Sequence, residues 1–175
     1  MHIPACLYLP VILTFIAPHA IAGDTSTVLV TGANRGLGLA WAEGYAARGW
    51  RVIATARQPE NAAALNAMAE RTGRVSVEQL DVTEPASVQA LAERLNGVPI
   101  DILVNNAGII GSENGQRFGE LDPAQFDTFM RVNALGALLL TEALLPNLRA
   151  GRQKKVAGIS AVVASFDAYP RIHRG

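Results

Sequence analysis

Eight residues, Thr31-Gly32-Ala33-Asn34-Arg35-Gly36-Leu37-Gly38, leave this chain few folds to choose from. Before them, Ser26 to Val30 is short, apolar and β-branched, which predicts a buried strand. After them, Leu37, Ala40, Trp41, Gly44 and Tyr45 recur at helical spacing. Glycines at a strand-to-helix turn let backbone come close to a ligand. The helix then aims its free N–H groups and the positive end of its dipole at that ligand, which suits a phosphate. The other reading of the same letters is an ordinary glycine-rich turn. The strand before and the helix after are the context that separates the two.

The glycines fall as Gly-x-x-x-Gly-x-Gly rather than Gly-x-Gly-x-x-Gly. With Thr31 in front, the pattern resembles the short-chain dehydrogenase/reductase family. A second stretch carries the same resemblance. Ile100 to Val104 reads as a fourth strand, and Asn105-Asn106-Ala107-Gly108 follows it directly. An asparagine at a strand end can hold neighbouring backbone through its amide, while Ala and Gly leave room for a ribose. Alone, those residues could be any turn. In order behind the glycine motif, they match the family's second signature. Thr31-Gly32-Ala33-Asn34-Arg35-Gly36 and Ser165-Phe166-Asp167 look nearest the bacterial carbonyl-reductase-like members.

The resemblance implies a nicotinamide dinucleotide. Gly32, Asn34, Arg35, Gly36, Leu37 and Gly38 would shape its pyrophosphate turn. Arg51 to Ala56 reads as the second strand. A site preferring NAD(H) places Asp or Glu about 20 residues after the glycines to bind the ribose 2′-OH. Here Thr55-Ala56-Arg57-Gln58-Pro59 offers no acid before Glu60. Arg57 presents a fork of donors to a 2′-phosphate, and Arg35 can reach the same group. Basic residues at these two places look like a preference for NADP(H) over NAD(H). The alternative is that Arg57 is a solvated loop residue.

Asn61 to Arg71 reads as a helix with Leu65, Met68 and Ala69 on one face. Arg74 to Leu80 reads as the third strand and leads into Asp81-Val82. In the family an Asp here binds the adenine amino group, which assigns Asp81 and Val82 to the cofactor. Asp81 could instead cap a helix. Thr83 is the better cap, which would leave Asp81 free. The next helix carries Val88, Leu91, Ala92 and Leu95 at i, i+3, i+4 and i+7. Asn105, Ala107 and Gly108 are expected to line the ribose.

Asp122-Pro123 should open a long helix running to about Leu148, with Phe126, Phe129, Val132, Asn133, Gly136, Ala137, Leu140 and Leu144 near one side. Asn133 is an amide among apolar neighbours, costly unless bonded. It is either a satisfied core amide or, by resemblance, the Asn that bends the helix and helps hold a water in the proton path.

Lys154 to Ser160 reads as the fifth strand. The family's substrate-binding serine falls at Ala161. Ser160 is adjacent, but neighbouring side chains on a strand point to opposite faces. The family's proton donor is a Tyr followed four residues later by a Lys, whose charge lowers the phenol's pKa. Here Tyr169 is followed by Pro170 and, at the fourth position, His173. The resemblance therefore spans residues 26 to about 168. It carries the cofactor half of the family without the chemical half, and a truncated, inactive chain is expected. The substrate class implied for a completed protein is a small carbonyl or alcohol. A non-catalytic dinucleotide-binding module or an inactive remnant are the alternatives.

Composition narrows the rest. The formal net charge is zero, so nucleic-acid binding by charge is not expected. Cys6 is the single cysteine, and no Cys/His cluster has metal spacing. Ile3 to Ala22 carries no charge and ends Ala20-Ile21-Ala22, which reads as a secretory signal over residues 1–22 and an exported, periplasmic domain from 23 to 175. The run also matches a bilayer-spanning helix of roughly 20 residues, or a misassigned start on a cytoplasmic protein. Any membrane contact would come through an uncleaved N-terminus. Export sits awkwardly with a cofactor that cells keep mainly in the cytosol. Oligomeric state is not legible. The expected fold is α/β: a doubly wound, Rossmann-like parallel sheet of about five strands in order 3-2-1-4-5, incomplete at its C-terminal side. Its fifth strand should be a raw edge.

Overall fold

The computed structural model describes residues 25–110 and 119–160. Strands β1 (Thr27–Val30), β2 (Arg51–Ala56), β3 (Val75–Gln79), β4 (Ile102–Asn105) and β5 (Lys155–Gly158) form one sheet in the order β3-β2-β1-β4-β5. Every pairing is parallel. Between the strands run α1 (Gly36–Ala47), α2 (Ala63–Thr72), α3 (Pro85–Arg94), α4 (Pro123–Met130), α5 (Gly136–Ala143) and α6 (Leu145–Ala150). Architecture and strand order are those expected from the sequence. Residues 1–22, read above as a signal, and Ala161, Ser165, Tyr169 and His173 lie outside the described residues.

Side-chain alternation builds two apolar layers. Val28, Val30, Val52, Ala54, Ile102 and Val104 face one way, packing with Ala42, Ala46, Leu65 and Met68 of α1 and α2. Leu29, Ile53 and Leu103 face the other way, against Val88 and Leu91 of α3 and Leu140 of α5. A strand buried on both faces has no polar side to show, which is why β1 is apolar from Val28 to Val30. Each fully buried Leu or Ile contributes roughly 1.5–3 kcal/mol.

α1 forms where the helical spacing placed it, and its buried residues are Gly38, Ala42 and Ala46, while Leu37 and Trp41 are 64% and 42% exposed. The helix is apolar nearly all round, so spacing alone selects no face. Small residues take the sheet side because the backbone comes close there: a Cβ on Gly38 would run into the Gly32 carbonyl. The long helix expected from Asp122 to Leu148 is three pieces. Asp122 caps α4, its carboxylate accepting from Ala124 N at 2.9 Å and Gln125 N at 3.4 Å. A π-helical turn at Arg131–Leu135 follows. The helix stops at Leu144, ahead of Pro146, which cannot continue it. Leu140 and Leu144 are buried as expected, whereas Phe126 is half exposed.

β5 is exposed along its whole length and forms the sheet's edge among the described residues. It is tied in by Asp101. This buried carboxylate accepts from Thr27 N at 2.8 Å on Oδ2, and from Arg152 N at 2.8 Å and Gln153 N at 3.2 Å on Oδ1. Burial opposes its charge, but these three donors and the Arg152 guanidinium outweigh that and hold the carboxyl below its ordinary range. A depressed folded-state pKa stabilises the fold above the unfolded-state pKa, and that contribution disappears as pH falls through the folded value. Asp101→Asn places an NH₂ group against a backbone N–H in either amide orientation. It should cost about 1–3 kcal/mol in urea denaturation at neutral pH. It should also remove part of the wild-type loss of stability on acidification; parallel acid profiles of variant and wild type would refute this role.

Candidate functional site

Parallel strands deliver their C-terminal ends to one side of the sheet, and a cleft opens there between the turns after β1 and β4. Thr31 joins the two turns. Its hydroxyl accepts from Asn106 N at 2.9 Å and Ala107 N at 2.8 Å and donates to Val104 O at 3.3 Å. The Asn106 amide donates back to Thr31 O at 2.8 Å and Gly32 O at 3.2 Å. Ala33 N, bonded to Thr55 O at 2.8 Å, ties the glycine turn to β2 as well. The turn's shape is therefore held from both neighbouring strands.

The glycines have separate reasons. Gly32 and Gly36 have φ of +61° and +57°, where a side chain is strained. A Cβ on Gly32 would also stand 3.0 Å from Ala107 Cα, whereas one on Gly36 would meet only open space. No side chain caps α1, and its first turn holds no acid. Its N-terminal N–H groups therefore face the cleft without a competing anion, the arrangement that suits a bound phosphate.

The cleft encloses about 420 Å³. Its walls include Gly32, Asn34, Arg35, Gly36, Leu37 and Gly38 from the first turn and Arg57 from the end of β2. Asp81 and Val82 come from beyond β3, and Ala107 and Gly108 from beyond β4. Of the residues expected to bind cofactor, only Asn105 stands outside it. Asn105 shares the sheet face of Leu103, and its Nδ2 donates to Thr141 Oγ1 at 3.2 Å, towards α5. Asn106 faces the cleft instead. Strict alternation from Val104 onward was the signal in the sequence that would have separated the two asparagines. Thr55, Gln58, Asn61 and Thr83 complete the β2 and β3 side of the wall.

Asp81 is not left free. Its Oδ1 accepts from Thr83 Oγ1 at 2.6 Å and Thr83 N at 2.9 Å. Thr83 does not cap α3; the capping position is Glu84, with no side-chain bond. Burial disfavours the Asp81 charge, but the two Thr83 donors and the positive charge of Arg57 prevail, and the carboxyl is held below its ordinary range.

Asn133 sits in the π turn. Its Oδ1 accepts from Ile109 N at 2.8 Å, and its Nδ2 donates to Ile109 O at 2.9 Å. The amide is satisfied, but it is exposed rather than in the core. Its partner is the backbone just past the second motif, which is why an amide stands in an otherwise apolar stretch. Ser160 lies exposed beyond the end of β5 and does not line the cleft. Among the described residues no cluster of ligating side chains could hold a metal ion.

Two glycine substitutions separate backbone strain from crowding. Gly36→Ala should cost about 1–2 kcal/mol of stability through its left-handed φ alone. Gly38→Ala forces a Cβ into the Gly32 carbonyl and the Asn106 amide, and should disrupt the turn more severely. Denaturation midpoints would check the order; a Gly38→Ala protein as stable as Gly36→Ala would contradict the close packing described.

The sequence model for short chain dehydrogenase matches residues 26–172. The chain is 33% identical over 140 residues to a 3-oxoacyl-[acyl-carrier-protein] reductase of Escherichia coli, covering 79% of this chain and 55% of that protein. A short-chain dehydrogenase/reductase from Burkholderia multivorans, solved with bound NADP, superposes with a TM-score of 0.73 at 34% identity, over 82% of this chain and 62% of the other. An NADPH-bound carbonyl reductase from chicken fatty liver gives a TM-score of 0.75 at 32% identity, over 86% and 65%. The chain thus spans about half the length of the curated relatives it matches. With the glycine turn, the Asn-Asn-Ala-Gly turn and the strand order all in agreement, the chain belongs to the short-chain dehydrogenase/reductase family.

Proposed function

We propose that these residues form the cofactor-binding part of an NADP(H)-dependent oxidoreductase that interconverts a small carbonyl compound and its alcohol by hydride transfer. The observation that carries the choice of cofactor is the cationic pair on the cleft wall. Arg57 follows β2 where an NAD(H) site would place a carboxylate, and Arg35 lines the same cleft from the glycine turn. Two guanidinium groups suit a 2′-phosphate, which NADP(H) has and NAD(H) lacks. Relatives solved with NADP or NADPH bound support the reading.

In this reading the N-terminus of α1 holds the pyrophosphate. Arg35 and Arg57 bind the 2′-phosphate, Asp81 and Val82 meet the adenine, and Ala107 with Gly108 leaves space for a ribose. The nicotinamide supplies the hydride acceptor or donor when the cofactor is bound. Asn133 fixes the Ile109 backbone beside the cleft and is assigned to the proton path. Ser160 is assigned no contact. None of the three tyrosines is followed four residues on by a lysine, and these 175 residues by themselves are proposed to bind cofactor without turning over substrate. That keeps a non-catalytic dinucleotide-binding role as the second reading, favoured by His173 and Ala161 at the positions where the family's Lys and Ser fall.

Arg57→Asp should weaken NADPH binding at least tenfold relative to NADH, on the scale of a lost charge-assisted hydrogen bond. An unchanged ratio of the two dissociation constants would remove Arg57 from the site. Excess NADPH should raise the thermal midpoint of the purified chain, while NADPH oxidation with simple aldehydes and ketones should stay at background. Clear turnover would overturn the non-catalytic assignment of these residues.

A further inference from the structure

The end of the sheet opposite the cleft has its own chemistry. Along the row of strand starts stand Arg74 before β3, Arg51 at β2, Arg152 beside β1, and Lys154 and Lys155 at β5, with Arg48 at the end of α1 next to them. All six are exposed. Backbone bonds make the row continuous. Arg74 O accepts from Val52 N at 2.8 Å, Ser26 O accepts from Arg51 N at 3.0 Å, and Lys155 N donates to Asp101 O at 3.0 Å. Arg152 Nη2 donates to Ser26 Oγ at 3.1 Å. Asp101, a carboxylate within the row, is buried, turned to backbone N–H groups and paired with Arg152, whose Nε stands 3.9 Å from its Oδ1. Arg48, Arg51, Arg74, Lys154 and Lys155 are the exposed cations that the row shows to its surroundings, although the chain as a whole carries a formal net charge of zero.

The chain enters the domain at the middle of this row. Ser26 and Thr27 lie there, and the uncharged run Ile3 to Ala22 precedes them by only a few residues. That run is long enough for the hydrocarbon of a bilayer. Trp50, part-buried beside Arg51, and Trp41 pack against Tyr45 at tilted angles, with ring centroids 5.0 Å and 6.2 Å apart. This sets the amphipathic ring of Trp50 next to the Arg51 cation, a pairing that settles at a membrane–water interface.

We propose that the strand-start end of the sheet is a docking surface for an anionic lipid bilayer, held there by the uncharged N-terminal run. Exposed Lys and Arg are drawn to anionic headgroups within a Debye length. Docked this way, the cleft lies on the far side of the sheet, about 20 Å from the lipid for a six-residue strand, and opens to water. A bilayer contact on the cytoplasmic face would also keep the cleft where nicotinamide cofactors are abundant.

The test uses the full 175-residue chain and flotation with two kinds of vesicle, pure phosphatidylcholine and phosphatidylcholine mixed with phosphatidylglycerol, the second presenting an anionic surface. The variant R51E/K154E/K155E reverses three exposed cations away from the cleft. Wild type should partition at least tenfold more strongly onto the anionic vesicles, and raised salt should erase the difference. The variant should bind both vesicles equally while keeping the wild-type thermal midpoint and its NADPH-induced shift. Equal wild-type binding to both vesicles would show that the apolar run acts alone and overturn the proposal. So would an anionic preference that survives the charge reversal.

Discussion

A single hydroxyl organises the ligand side of this molecule. Thr31 follows β1 and takes two N–H groups from the turn after β4, while Asn106 answers with two bonds to the glycine turn. Neither turn has a core of its own. Each is shaped by bonds to the other, and the cleft is the space left between them. Small polar groups that are fully satisfied at such a junction confer rigidity without burying charge. The uncapped N-terminus of α1 follows from the same arrangement, because the chain leaves the locked turn directly into the helix.

Much of this was legible in the sequence, for identifiable reasons. β1 and β2 are buried on both faces, so their middles, Val28 to Val30 and Val52 to Ala54, read as unbroken apolar runs. The i, i+3, i+4, i+7 pattern of Val88, Leu91, Ala92 and Leu95 describes α3 because one of its faces is polar. The glycine spacing located the cleft because a left-handed φ at Gly32 and Gly36 leaves other residues strained. α1 resisted the same method. With apolar residues nearly all round, its buried side is set by how closely the backbone approaches the sheet, a tertiary fact. The π turn was hidden too. It follows from Asn133 reaching back across 24 positions to Ile109, and no local pattern announces such a bond. The Asn105 and Asn106 exchange was decided by strand parity, which a motif treats as interchangeable letters.

The two ends of the sheet divide the work. One end gathers turns, glycines and the Arg35 and Arg57 pair around a cleft. The other gathers strand starts and helix ends, where cations complement helix dipoles and remain exposed. Parallel connection imposes this separation, since every strand must return to the same side before pairing again. A charge placed at a strand start is therefore remote from the cleft whichever strand carries it.

The position of β1 has a further consequence for how the chain comes to be folded. β1 lies between β2 and β4, but β4 begins at Ile102. As the polypeptide leaves the ribosome, β1, β2 and β3 can assemble early, because their contacts span short stretches of chain. The other side of β1 must then wait, unpaired, until residues past Ile102 emerge. Asp101 marks the end of that interval: its carboxylate accepts from Thr27 as β4 arrives, and later from the segment that leads into β5. Long-separation parallel pairing is intrinsically slow, and an open strand flank during synthesis is where intermolecular pairing begins. The nascent chain is thus most exposed to misassembly between completion of its third strand and arrival of its fourth.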